Sequence, residues 1–266
     1  MSLRFSILAS GSSGNCALVM SQGARVLLDA GLSARRTSSL VAAAGASMDT
    51  IDAVFITHEH SDHCSGVESL KKYPHLTFYS NSATAREVQK NLSWSPQWKI
   101  FPTGSTFRHR DLEIESFPIP HDANDPVGYV FSSGIEGDLF EPRRTLAWAT
   151  DLGHAPQGVR DRIRNSDVLV LEANHCPRML QADPRRSWAL KQRISGRHGH
   201  LSNDRMSEVL SSVASPRWRK IYLAHISRDC NSRDAVEAAL LALRSLLKCE
   251  FSIVGHGEGT PLYEIA

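Results

Sequence analysis

Residues 57–63 read THEHSDH and place three histidines, a glutamate and an aspartate in seven positions. Four of these residues, His58, His60, Asp62 and His63, carry side chains of metal-binding type. His58 and His60 are two apart, which puts both rings on one side of an extended segment. Asp62 and His63 stand where a helix is expected to begin, and can face a second point. The run is not HExxH, in which two histidines four apart share one helical face. Glu59 and Ser61 read as spacers.

Other chemistry-bearing residues follow apolar runs elsewhere: Asp29 in LLDAG, His121 in FPIPHDAND, Asp151 in AWATDLG, Glu172 in LVLEANH and His225 in YLAHISRD. Strand ends are polar by default. Several in succession, all of types that bind metals or move protons, point to strand ends converging on one site. Two metals about 3.5–4 Å apart need a bridging carboxylate. Asp151 suits the bridge, and His121 and His225 suit one terminal ligand each. Taken singly, Asp151 could equally cap the next helix, and either histidine could be structural. Nitrogen and carboxylate donors put Zn first, with Mn or Fe compatible.

These positions depend on elements that the same pattern supplies. Strands are expected at 4–9, 16–21, 24–31 and 51–57, with a helix around 34–45 and another from Asp62 over 63–72. A strand at 76–80, a helix at 82–92, and strands at 106–109, 112–118 and 127–133 follow. Next come strands at 145–151 and 167–174 about a helix near 156–165. Helices at about 186–194, 203–214 and 232–247 surround a strand at 220–226, and a last strand falls near EFSIVGHG. The strand-heavy first half fits two mixed sheets with helices outside better than one doubly wound sheet. No linker or repeat divides the chain, so one α/β domain over 1–266 is expected.

Bulk composition limits the partners. The chain has 266 residues, 41% hydrophobic and 22% charged, with a formal charge of +2. That is ordinary globular composition and not the basic excess of a nonspecific nucleic-acid coat. Apolar runs fall short of the roughly 18–20 residues that a membrane span needs, so no membrane partner is expected. The opening segment reads as strand, turn and strand rather than as a secretory signal. Five cysteines without a CxxC spacing argue against a disulfide framework or a thiolate metal site, and for a reducing cytoplasm.

THEHSDH resembles the HxHxDH signature of the metallo-β-lactamase fold, and LLDAG resembles that superfamily's Asp-bearing strand end. His121, Asp151 and His225 fall in the family's order, so the resemblance covers nearly the whole chain. It implies an αββα sandwich of two mixed β-sheets flanked by helices. It also implies two divalent metals: His58, His60 and His121 on one, Asp62, His63 and His225 on the other, and Asp151 bridging. IPHDANDPVGY replaces the HTPGHT-like stretch of lactamases and glyoxalase-type thioesterases. VLVLEANH, GRHGHLSNDRMSEVL and RKIYLAHIS instead resemble the nucleic-acid-processing branch, related to RNase Z and RNase J. Only about 28 residues separate Glu172 from His200, so the second domain of the RNase J type is absent. SGSSGN, HDA…P…GY, NH…ML and GHLSN are most similar to the compact YycJ (WalJ)-like group. Cys176 and SRDCN (with Asp229 and Cys230) depart from that group's pattern.

The activity implied is phosphodiester hydrolysis of DNA, ahead of RNA, by a hydroxide shared between two metals, with a 5′-end exonuclease as one form. Asp62 would orient the nucleophile. His200 would contact the phosphate or protonate the leaving oxygen, with Glu172 as a further catalytic residue; a capping or packing role is the other reading of His200. Ser12, Ser13 and Asn15 of SGSSGN, with Asn174, Ser202 and Asn203, are the expected substrate contacts. Between 178 and 205 seven Arg and Lys face two Asp, which suits a phosphate backbone or a solvated helix face. Trp188 among them suits a base or the core. A thioesterase or lactamase, a small cyclic-nucleotide phosphodiesterase, and a binding protein that keeps the fold are the alternatives.

Overall fold

The computed structural model describes residues 3–265. From the N-terminus it forms β1 (Leu3–Ala9), β2 (Cys16–Met20), β3 (Arg25–Leu28), α1 (Ala34–Ala43), β4 (Ala53–Phe55) and α2 (Ser61–Cys64). Then come β5 (Thr77–Ser80), α3 (Ser82–Gln89), β6 (Gln97–Ile100), β7 (Thr106–His109), β8 (Leu112–Pro118), β9 (Val127–Ser133) and β10 (Arg144–Ala149). The remainder is α4 (Gln157–Arg164), β11 (Val168–Glu172), α5 (Pro177–Ala182), α6 (Trp188–Ser195), α7 (Asn203–Val213), β12 (Lys220–Ala224), α8 (Arg233–Leu246), β13 (Glu250–Ile253) and β14 (Tyr263–Ile265). The strands form two mixed seven-stranded sheets, as expected. Two compact units result, one of Met1–Pro118, Ala123–Arg144 and Gly257–Ala266, the other of Ile119–Asp122 and Thr145–His256.

In the first unit the sheet order is β14-β1-β2-β3-β4-β5-β6. β1, β2 and β3 pair antiparallel, whereas β3 to β6 run parallel. β4 is only AVF, all buried, the continuous apolar run that a strand covered on both faces requires. On one face Leu18, Leu27, Val54 and Phe78 pack with Val41 of α1 and Val88 of α3. On the other, the Phe55 ring meets Tyr129 and Phe131 of β9 edge-on at 5.9 and 5.7 Å. β7, β8 and β9 form an antiparallel meander.

In the second unit β10, β11, β12 and β13 run parallel. β11, VLVLE, is buried throughout. α7 buries Met206, Val209, Leu210 and Val213, and α8 buries Val236, Leu240 and Leu243. Both sets follow the spacing of a helix with one apolar stripe. Ser202 and Ser232 cap these helices through their hydroxyls.

The helix expected over 63–72 is instead two short pieces, α2 and a 3-10 turn at Val67–Lys72. Gly66 separates them, and a Cβ there would sit 1.8 Å from the Leu32 carbonyl oxygen. The chain therefore bends at a close backbone crossing rather than continuing as one helix. β6, α5 and β14 were not expected. No helix of the described residues is long and apolar enough to cross a membrane.

Candidate metal centre

Strand register sets the first group of ligand-type residues. Leu28 pairs with Phe55, so Asp29 and Thr57 emerge side by side at the C-terminal ends of β3 and β4. Asp29 has φ 61°, in the left-handed region that costs a non-glycine residue about 1–3 kcal/mol. Its carboxylate accepts the Thr57 N–H at 2.9 Å and the Thr57 hydroxyl at 3.0 Å. It also lies 2.7 Å from His63 Nδ1, which must therefore carry the proton. Thr57 has one hydroxyl proton and gives it to Asp29. Its oxygen thus accepts from His58 Nδ1, 3.0 Å away.

His58 and His63 are buried, and His60 stacks edge-on to His58 with centroids 4.6 Å apart. Asp62 is held from the SGSSGN turn. Asn15 Nδ2 lies 3.1 Å from Asp62 Oδ2 and 3.0 Å from His63 Nε2, and Asn15 N–H donates to the Asp62 carbonyl at 2.7 Å. A Cβ on Gly31 would lie 1.7 Å from that carbonyl oxygen, so only glycine admits this crossing. Cys64 next to the run is no thiolate: its Sγ–H donates to the Glu59 carbonyl, and burial pushes the thiol up to about 12.

The second group arises the same way. Ala149 pairs with Leu171, and Glu172 with Ala224, which sets Asp151, Glu172 and His225 at neighbouring carboxyl ends of parallel strands. Asp151 (φ 60°) and His225 (φ 54°) are again left-handed. Glu172 is fully buried and takes four donors. Its Oε1 lies 2.7 Å from His225 Nδ1 and 2.8 Å from His200 Nδ1. Its Oε2 accepts the N–H of Leu152 at 3.1 Å and of Leu201 at 3.0 Å. Burial alone would raise this carboxyl, but the facing His200 and His225 outweigh burial and hold it below the usual carboxylate range. Burial would likewise lower His200, and Glu172 reverses that and raises it.

Asp151, Glu172, His200 and His225 each offer a donor atom within 4.8 Å of the others. His121 is buried, and its Nδ1 donates to the Gly199 carbonyl at 3.1 Å.

Five histidines, His58, His63, His121, His200 and His225, therefore turn Nδ1 back into protein, which in His58, His63, His121 and His225 leaves Nε2 as the atom able to coordinate. That is the tautomer arrangement of metal-bound histidines. Residues of this donor type, with Asp62 in the first unit and Asp151 in the second, suit a divalent metal.

The other expected site residues are placed as follows. Ser12 and Ser13 are exposed on the turn after β1. Asn174 is buried and donates to the His225 carbonyl at 2.9 Å. Ser202 caps α7, and Asn203 exchanges amide hydrogen bonds with Asn231 at 2.9 and 2.8 Å. Glu172 is buried against His200 and His225, where it can orient both rings. Glu59 is not a spacer, because its Oε1 accepts from the Asn124 N–H at 2.8 Å and from its amide at 2.7 Å. Thr57, Asn124 and Gly199 were also passed over. Thr57 alone carried a signal, as a hydroxyl residue immediately before the first histidine.

Two mixed sheets flanked by helices, with histidines and carboxylates at the strand ends, define a metal-dependent hydrolase. The chain belongs to the β-lactamase superfamily, whose domain matches residues 24–226. It is 34% identical over 236 residues to the exodeoxyribonuclease YycJ of Bacillus anthracis, covering 88% of this chain and 86% of that one. It is 36% identical over 242 residues to the exodeoxyribonuclease WalJ of Streptococcus pneumoniae serotype 2 (strain D39), covering 90% and 87%. The metallo-β-lactamase fold protein YhfI of Bacillus subtilis shares the fold at a TM-score of 0.71 and 16% identity, over 99% of this chain and 100% of that one. The family expected from the HxHxDH run is the family found.

Proposed function

We propose that the protein is a metal-dependent exodeoxyribonuclease that hydrolyses phosphodiester bonds from a DNA strand end, with Zn in first place as its metal. The observation that carries this reading is Glu172 holding His200 beside His225, in a chain 34–36% identical to exodeoxyribonucleases over most of its length. Family membership supports two ions, with His58, His60 and His121 on one, Asp62, His63 and His225 on the other, and Asp151 shared. Bound divalent metals would polarise the phosphoryl oxygens and lower the pKa of water to about 7.

The chain's own residues supply orientation and proton placement. Asp29 and Thr57 keep His63 and His58 in one tautomer, and Glu172 does so for His225. Asp62, braced by Asn15, would orient the attacking oxygen. His200 turns Nδ1–H to Glu172, so Nε2 is the atom that would donate to a phosphoryl or leaving oxygen. Ser12 and Ser13, exposed on their turn, remain the substrate contacts of the proposal. Asn15, Asn174, Ser202 and Asn203 would act on substrate through the groups they brace.

The test is cleavage of end-labelled single- and double-stranded DNA and RNA by metal-loaded protein, with His60→Ala and Asp151→Ala as controls. The expected result is progressive loss of nucleotides from DNA ends, absent in both variants. Internal cuts only, or cleavage of RNA alone, would overturn the assignment.

A further inference from the structure

α6 (Trp188–Ser195) buries none of its residues. In the same unit α4 buries Val159 and Ile163, while α7 and α8 each bury a full stripe. Packing therefore does not explain an aromatic residue on α6, yet Trp188 is there at 66% exposure, with Leu190 at 38%. The helix is held by its polar links. Ser187 Oγ accepts the Leu190 N–H at 3.3 Å, and Lys191 Nζ donates to the Gln181 carbonyl at 2.6 Å. Arg193 pairs with Asp122, the residue after His121, and His200 N–H donates to the Ile194 carbonyl at 2.8 Å. α6 is thus tethered to the segments that carry His121 and His200.

Its charge is one-sided. From Arg185 to His200 there are five Arg and Lys and no Asp or Glu. Asp183 and Asp229 pair with Arg185 and Arg186, so part of that charge is answered. Lys191 bonds only a carbonyl among the contacts above, and Arg197 lies against a histidine, His154, at 3.1 Å. An exposed indole among cations is the pairing that single-stranded nucleic acid uses, in which bases stack on the ring and cations track the backbone. In a duplex only the terminal pair shows a free base face, so away from the ends an indole finds one only on unpaired nucleotides.

We propose that α6 is a single-strand clasp, in which Trp188 stacks on an unpaired base of DNA while Lys191 and Arg197 follow the phosphates toward His200. This rests on the nuclease reading above and adds that the strand is unpaired where it meets α6.

The test is binding, which does not depend on turnover. Metal-loaded wild type, Trp188→Ala, Trp188→Leu and Trp188→Phe are titrated with labelled phosphorothioate oligothymidylate, and with an abasic tract of equal length and charge. Fluorescence anisotropy gives Kd. The expected result is about a tenfold weaker Kd on oligothymidylate for the Ala and Leu variants, within the range for one base–aromatic stack. Trp188→Phe should restore most of it, and the abasic tract should bind all four proteins alike. An unchanged Kd for Trp188→Ala, or an equal loss on the abasic tract, would overturn the clasp. Wild-type hydrolysis of bis-p-nitrophenyl phosphate, run in parallel, judges the underlying reading separately. A wild type that hydrolyses it while Trp188→Ala binds normally overturns the clasp alone.

Discussion

Glu172 concentrates four hydrogen bonds on two oxygens, and the donors come from residues 152, 200, 201 and 225. A glutamine there must turn its NH2 toward either two imidazole N–H groups or two backbone N–H groups. Glu172→Gln should lower kcat/KM on bis-p-nitrophenyl phosphate by about 10–100-fold, the usual cost of losing a partner that orients a ligand. His200→Ala should lower turnover by about 10²–10⁴-fold with metal content unchanged by mass spectrometry. Metal lost in step with activity would instead make His200 a ligand. The ligand-type residues were legible in the sequence because His, Asp and Glu recur where apolar runs stop. Their anchors were not. Glu59 finds Asn124 65 residues away, and His121 finds a backbone carbonyl 78 residues away, distances that no local spacing encodes.

β7, β8 and β9 fall where the sequence puts them, because alternating residues and turn residues mark both ends of each. β6 is not evident in the sequence because QWKI is only four residues long and mostly exposed, its pairing with β5 coming from tertiary context. The segment after Asp62 was read as one helix because propensity cannot register the close approach of Leu32 to Gly66. Close crossings of this kind give predictions at the level of the element. Gly31→Ala drives a Cβ into the Asp62 carbonyl, so it should lower both melting temperature and metal content, whereas an exposed glycine with open space such as Gly45 tolerates occupation apart from its positive φ. Ser202→Ala removes the acceptor for the Arg205 N–H at the start of α7, and should cost about 1 kcal/mol in denaturant unfolding. It should leave the binding of metal unchanged.

For the molecule as a whole, a net charge of +2 names no partner, and the basic residues that matter are gathered in one segment of the second unit. Sequence composition could place that excess along the chain, but not decide whether Trp188 was core or surface, since burial is a tertiary property. The fold class was legible as two mixed sheets because short buried strands, hairpins and helices alternate in an order that one doubly wound sheet does not accommodate. The donor set couples stability to metal, because ions held only by the folded chain stabilise it by mass action. Chelation should lower the melting temperature by on the order of 10 °C, the size expected from about 4 kcal/mol in a chain of this length. Calorimetry with and without chelator checks this, and an unchanged transition would argue against a bound ion. The central claim is metal-dependent phosphodiester hydrolysis, and the most direct measurement is release of p-nitrophenol from bis-p-nitrophenyl phosphate by metal-loaded protein. The expected result is turnover that is abolished by chelator, restored by a divalent metal and absent in Asp151→Ala. A metal-loaded wild type that leaves every phosphodiester intact, yet hydrolyses a thioester, would contradict it.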